Sequence, residues 1–397
     1  MNQSSVSIES FDISEEAKLI QLELSAKIKQ EIERQGGKIP FSTFMQMALY
    51  QPGLGYYQNN LHKFGEKGDF VTAPEMGANF AKCLANSVRD YLSSNSDKLN
   101  LLEVGAGSGI LAADLLDKLE SLSALPNQYF ILETSAELKA QQQKLLQDRQ
   151  KNYFKNIEWI SELPQNFHGI ILANEVIDAI PCERIVKSNN HWIRMGVSFK
   201  NGKFEDCLLD KVDIADLPEE LKINGDSGEY PEGYRTEYRP LAKGWINALS
   251  SSLEQGAILL VDYGYAETEL YHPQRTTGSL TCFIKHHSHS EPYKYVGLQD
   301  ITAHVDFTQI ARNADEYSLE VEGFTTQAGF LLENGITESS ERLAEQETDE
   351  QRYQRSQELQ KLLMPGQMGE VIKVMLLGKN FDGEIKGFSL QDHLHRL

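Results

Sequence analysis

Leu101-Leu102-Glu103-Val104-Gly105-Ala106-Gly107-Ser108-Gly109 is the stretch whose reading decides the fold of this chain. An apolar run that ends in alternating glycines reads as a buried strand turning sharply into a helix. Without Cβ atoms, Gly105, Gly107 and Gly109 let a ligand approach the backbone closely, and the next helix N-terminus offers unpaired N–H donors. A dinucleotide fingerprint needs its third glycine one residue later, where this chain has Ile110. G-x-G-x-G preceded by an acid suits S-adenosylmethionine instead: the Glu103 carboxylate replaces hydration lost by the positive methionyl amino and sulfonium groups. The competing reading is a tight strand–helix turn with no ligand, a common feature of α/β folds.

Outward from this turn, Ile110 to Glu120 reads as a helix, and Gln128-Tyr129-Phe130-Ile131-Leu132 as a second buried strand ending in Glu133. An acid at that place accepts both ribose hydroxyls. In isolation Glu133 would sooner be an N-cap for the helix near Ser135 to Asp148, but its position one βα unit after the glycine turn favours the ligand. Further strands near 156–160 and 169–173 continue the alternation and predict a doubly wound, mostly parallel α/β sheet. The fourth strand runs into Ala173-Asn174-Glu175-Val176-Ile177-Asp178-Ala179-Ile180-Pro181. In such a sheet its carboxyl edge faces the ligand crevice, so Asn174, Glu175 and Asp178 are expected as catalytic groups forming an acidic rim. The alternative makes Asn174 and Asp178 turn or capping residues.

The rest of the chain divides around this core. Residues 1–95 read as an N-terminal helical and lid module, in which Leu19, Leu22, Ile28 and Ile32 recur at helical spacing. Residues 96–182 form the first part of the core. An inserted β-meander occupies 183–237, with turns at Ser188-Asn189-Asn190 and Asn201-Gly202. The core resumes over 238–397, with a helix near Pro240 to Leu253, a strand Ala257 to Val261, and a long loop 264–305 of no clear period. Loops of that length are usually functional or disordered. A helix near Asp306 to Tyr317, a strand near Leu319 to Thr325 and a last strand Glu370 to Leu377 bring the count to seven strands.

The formal net charge is −20 over 397 residues, which disfavours capture by nucleic acid or an anionic membrane, and no basic stripe points to nucleic acid. No apolar run approaches the length of a spanning helix. Cys83, Cys182, Cys207 and Cys282 show no metal-like spacing and read as free thiols of a reducing compartment. The first residues lack the features of a signal or transit peptide, so a bacterial cytoplasmic location is expected. His286, His287 and His289 find no Cys or carboxylate to complete a ligand set, and no metal is expected. An exposed apolar face on the meander would make the chain a homodimer.

Taken together, Gly68-Asp69-Phe70-Val71-Thr72-Ala73-Pro74-Glu75, the glycine turn, Asn174 to Pro181, Val261-Asp262-Tyr263-Gly264-Tyr265, Thr302-Ala303-His304-Val305-Asp306-Phe307 and Met364-Pro365-Gly366 resemble the MidA-type family of S-adenosylmethionine-dependent methyltransferases. The resemblance covers nearly the whole chain. It implies a seven-stranded class I methyltransferase (Rossmann-like) core and, by way of a mitochondrial relative that dimethylates an arginine of a complex I subunit, a protein acceptor and a part in complex I assembly. It also implies that Asp69, Phe70 and Thr72 close over the cofactor; outside the resemblance they read as a capped turn.

The residue chemistry is compatible with arginine. A guanidinium is planar and stays protonated, so it is a poor nucleophile until carboxylates such as Glu175 and Asp178 orient it. Asp262 and Tyr263 are further substrate-binding candidates, and Glu237 another acid, against the plainer reading of lone acids as ion pairs. His304 and Asp306 are expected to hold the long loop or contact substrate. Two other functions stay open: transfer to a small molecule or a different protein side chain, and a noncatalytic cofactor-binding assembly chaperone.

Overall fold

Strands Asn100–Val104 (β1), Tyr129–Leu132 (β2), Ile157–Ile160 (β3), Phe167–Asn174 (β4), Leu253–Tyr265 (β5), Glu320–Thr326 (β6) and Ile372–Lys379 (β7) lie side by side in the order β3-β2-β1-β4-β5-β7-β6. From β3 to β5 every pairing is parallel, whereas β7 runs antiparallel to both β5 and β6. The two-residue strand Val305–Asp306 extends the edge alongside Gly264 and Tyr265. The chain winds outward from β1 to β3, returns to β4 and winds the other way, so the order reverses between β1 and β4. In open α/β sheets that reversal opens the ligand crevice at the carboxyl ends of the strands. The computed structural model describes residues 11, 13–61, 72–94, 99–225, 229–338 and 348–397.

Near-continuous burial of β1, β4 and β5 is what a parallel sheet covered on both faces requires, and it explains their unbroken apolar runs. Two glycines let these strands come together at their beginnings. A Cβ on Gly169 would lie 1.9 Å from the Asn100 carbonyl oxygen, and one on Gly256 the same distance from the Gly169 carbonyl oxygen. Helices Ile110–Ser121 (α1) and Ala136–Arg149 (α2) follow β1 and β2, but no helix covers the short crossover from β3 to β4.

The chain divides into two compact units, with boundaries unlike the four consecutive segments the sequence suggests. The sheet unit takes in residues 71–178, 242–267 and 305–397. Residues 72–94, expected in the N-terminal module, belong to it: Phe80, Leu84, Val88 and Tyr91 of helix Asn79–Ser94 share a core with Leu111 and Leu115 of α1.

The other unit gathers residues 1–70, 179–241 and 268–304. Its meander strands, Glu183–Ser188, His191–Lys200 and Lys203–Lys211, recruit Lys38–Pro40 and Arg235–Tyr238 into a five-stranded sheet. Leu24 and Ile28 of helix Glu15–Arg34, and Phe44 of helix Phe41–Tyr50, pack with Val197 and Phe204 of the meander. The long stretch expected as loop holds a second small sheet, Thr281–Ile284, His287–His289 and Asp300–Thr302. His286, at φ +62°, makes the turn of its first hairpin. Leu208, on an outer strand of the meander, is 56% exposed. Among the described residues no helix is long and apolar enough to cross a membrane.

Candidate active site

The glycine turn leaves β1 at the switch point. Gly105, Gly107 and Gly109 have φ of +70°, +53° and +84°, the left-handed region that the missing Cβ makes accessible. Gly105 is exposed. Gly109 caps α1 without a side chain of its own, and of the first-turn amides Ile110 N–H reaches Ser108 Oγ at 3.4 Å. Ser108 donates to Glu75, whose carboxyl burial pushes up, so the segment after Thr72 is pinned to the turn. Thr72 is half-buried and makes no side-chain capping bond to helix Ala73–Met76. Asp69 and Phe70 lie outside the described residues.

Glu103 sits in the sheet interior, 2% exposed, where its Oε2 accepts the Tyr129 hydroxyl at 2.7 Å. Burial raises its pKa to about 7; the Tyr129 hydrogen bond opposes this and the Glu133 charge adds to it. Glu103 is enclosed within β1, and the exposed residue of the turn is Gly105, just beyond the end of the strand.

Glu133 ends β2 and stays half-buried. Its Oε1 accepts the Ser135 N–H at 2.7 Å and its Oε2 the Gln142 side-chain amide at 3.0 Å. It does not cap α2: Ser135 does that, accepting from Leu138 N–H. Gln142 and its partner Trp159 escaped the sequence reading. Gln142 had left a signal, because Leu138, Gln142 and Leu146 form one buried i, i+4 stripe of α2 in which a polar residue is out of place.

Beyond β4, Glu175 occupies a left-handed conformation at φ +53°, with its N–H bonded to the Val261 carbonyl at 2.8 Å. Asp262 explains how such a turn persists. It is 1% exposed, and its Oδ2 accepts the N–H groups of Val176 at 3.1 Å, Ile177 at 2.7 Å and Asp178 at 3.3 Å. Oδ1 accepts the N–H of Tyr263 at 2.8 Å. Asp262, a substrate-binding candidate by sequence, turns its carboxylate onto the backbone amides of this turn.

Burial drives the Tyr263 hydroxyl well up, and the charges of Glu175, Asp178 and Asp262 push it further, so it keeps its proton. The Asn174 side-chain N–H points to Glu175 Oε1 at 3.4 Å, while its Oδ1 is buried without a hydrogen-bond partner among the described residues. Across the turn the Ala73 N–H reaches the same Glu175 oxygen at 3.5 Å, the outer limit of a hydrogen bond.

Asp306 is the N-cap of helix Phe307–Glu316, accepting from Gln309 N–H at 2.9 Å. His304 ends the other unit, where its N–H donates to Ser279 Oγ at 3.0 Å and its carbonyl accepts from Arg239 at 2.7 Å. Glu237 is a buried acid of that same unit, accepting from Ser279. These hydrogen bonds fasten loop and helix ends.

A ligand with donor hydroxyls, a cationic end and a need for close backbone approach fits this edge. The exposed glycine turn admits it, Glu133 is half-exposed, and Asn174 Oδ1 is a buried acceptor that lacks a donor among the described residues. Comparison with known proteins agrees. A family model of S-adenosyl-L-methionine-dependent methyltransferases matches residues 81–325. Protein arginine methyltransferase NDUFAF7, mitochondrial, of Danio rerio is 27% identical over 363 residues, 84% of this chain and 82% of the relative. The homolog of that protein in Caenorhabditis elegans is 26% identical over 369 residues, 87% and 84% of the two chains. A crystal structure from Burkholderia thailandensis, bound to S-adenosyl-homocysteine, is 35% identical and superposes with a TM-score of 0.89, covering 98% of this chain and 100% of that one. The chain therefore belongs to the S-adenosyl-L-methionine-dependent methyltransferase family, and its cofactor is S-adenosylmethionine.

Proposed function

We propose that this enzyme methylates an arginine side chain of a protein, a subunit of NADH:quinone oxidoreductase (respiratory complex I), in the bacterial cytoplasm. The observation that carries the reading is the acidic turn after β4, where Asp262 holds Glu175 in a left-handed conformation beside Asp178 and Tyr263. The names of the mitochondrial relatives support an arginine acceptor, and four free cysteines suit a reducing compartment.

Bound S-adenosylmethionine supplies an electrophilic methyl group. Around it the glycine-turn amides and Asn174 hold the methionyl and base ends, Glu133 accepts from the ribose, and the segment beginning at Thr72 covers the turn. A guanidinium keeps its proton at neutral pH, so the chain must bind it as a cation before it can react. Glu175 takes two of its N–H groups in a fork and fixes the plane; Asp178 draws the charge to the same end and receives the proton as the nitrogen loses it. Tyr263, kept protonated by burial and by the surrounding carboxylate charges, adds a neutral hydroxyl to this end of the site. Alignment of this kind supplies about 7–11 kcal/mol of the barrier when it is complete.

The test is transfer of labelled methyl from S-adenosylmethionine to the proteins of a host lysate lacking this gene, with Glu175→Gln alongside and mass spectrometry of the labelled band. Dimethylarginine in a complex I subunit, absent with the variant, is the expected result. Label confined to small molecules, or no label despite cofactor binding, overturns the proposal.

A further inference from the structure

Gln142 makes three side-chain hydrogen bonds from a position with no solvent exposure. Its Nε2 donates to the Gly107 carbonyl at 2.9 Å and to Glu133 Oε2 at 3.0 Å, and its Oε1 accepts the Trp159 indole N–H at 2.9 Å. The orientation of the amide is not arbitrary. An indole nitrogen can only donate, so the carbonyl end must face Trp159, and both amide protons are left for Gly107 and Glu133. A Cβ on Gly109 would stand 3.1 Å from Gln142 Cγ, so the glycine turn packs directly on this side chain. One buried amide thus ties together the turn after β1, the acid after β2 and the ring at the end of β3.

We infer that Gln142 is a positioning residue of the cofactor site, which aims the Glu133 carboxylate at the ribose hydroxyls and sets the height of the glycine turn beneath the same ligand. The inference rests on the reading of Glu133 as the ribose acceptor. With Oε1 held by Ser135 N–H and Oε2 by Gln142, the carboxylate cannot rotate, and its remaining lone pairs point in fixed directions. Without Gln142 one oxygen is released, the Gly107 carbonyl loses its donor, and the half-buried Trp159 loses the acceptor of its N–H.

Calorimetric titration with S-adenosyl-homocysteine and with its 2′-deoxy analogue tests this without any turnover. The wild-type protein is expected to bind the deoxy analogue about tenfold or more weakly, as a charge-assisted hydrogen bond would dictate. Gln142→Leu should bind S-adenosyl-homocysteine about tenfold more weakly and lose most of the discrimination between the two ligands. Gln142→Glu keeps the acceptor for Trp159 but removes both donors and sets a charge beside Glu133. Its melting midpoint should fall, since the new carboxyl is buried beside Glu133, but at a temperature where it remains folded it should show the same lost discrimination. A merely structural role would weaken both ligands equally. Variants that keep wild-type discrimination between the hydroxyl and deoxy ligands overturn the inference. Glu133→Ala separates the two levels. If it too leaves the discrimination intact, the ribose reading has failed; if it alone abolishes it, only the role of Gln142 has.

Discussion

The Tyr129 hydroxyl donates to Glu103 Oε2 at 2.7 Å with both residues sealed inside the sheet. Burial still dominates, and the carboxyl titrates near about 7 rather than 4.5. Below 4.5 it is protonated in both folded and unfolded chains and imposes no penalty. Between 4.5 and about 7 the unfolded chain gives up its proton while the folded one retains it, so stability is lost as pH rises through that window. The total is about 3 kcal/mol. Denaturant unfolding of wild type and Glu103→Gln across this range should show the variant gaining on the wild type as pH rises. A constant difference would sink the assignment.

Glu175 is expected to be less stable as it stands than with glycine in its place. A non-glycine residue at φ +53° carries backbone strain of about 1 kcal/mol or more. Glu175→Gly should therefore raise or preserve the unfolding free energy, after about 0.5–1 kcal/mol is returned to the greater freedom of the unfolded chain, while abolishing methyl transfer. Glu175→Gln should abolish transfer and leave affinity for S-adenosyl-homocysteine within threefold of wild type, about 0.7 kcal/mol or less. Turnover in either variant would remove Glu175 from the reaction.

Asp262→Asn keeps the shape of the side chain but turns an amide donor toward backbone donors. With four N–H groups converging on this carboxylate, the acidic turn should loosen, and kcat should fall by about tenfold or more. Asp262→Ala should also destabilise the fold by about 2–4 kcal/mol, because the turn's buried amides lose their acceptor. Steady-state kinetics and urea melts read the two effects separately, and unchanged kcat in Asp262→Asn would contradict the positioning role.

Gly169→Ala and Gly256→Ala should each prevent folding of the sheet. The added methyl would meet a neighbouring strand's carbonyl oxygen at 1.9 Å in both cases, and φ values of +141° and +137° disfavour any side chain. Circular dichroism of the purified variants checks this; a native melting curve for either would show that the strands can separate to make room.

The alternation of strands and helices and the chemistry-bearing edge were legible because each rests on a short contiguous signal. The glycine turn, Glu133 and the run from Asn174 to Asp178 all sit at strand ends that an apolar run announces. Gln142 and Trp159 were not, since their roles depend on residues 35 and 17 positions apart meeting in space. Asp262 was visible as an acid, but nothing in its neighbourhood says that its carboxylate turns back onto the amides of 176–178. The second unit is assembled from three separated stretches. Its helix and meander faces are each apolar without naming their partner, and strands of three or four residues such as His287–His289 are too short to show a period.

A turn that presents several successive N–H groups is ordinarily a trap for phosphate or another anion. Here that trap is filled from within, because the Asp262 carboxylate takes the amides of Val176, Ile177 and Asp178. The side-chain charge that the turn itself carries is that of Glu175, which is half-buried, and of Asp178, which is 6% exposed. The protein has inverted the polarity of its own loop: a backbone shaped to attract anions is already neutralised by a counter-charge built into the neighbouring strand.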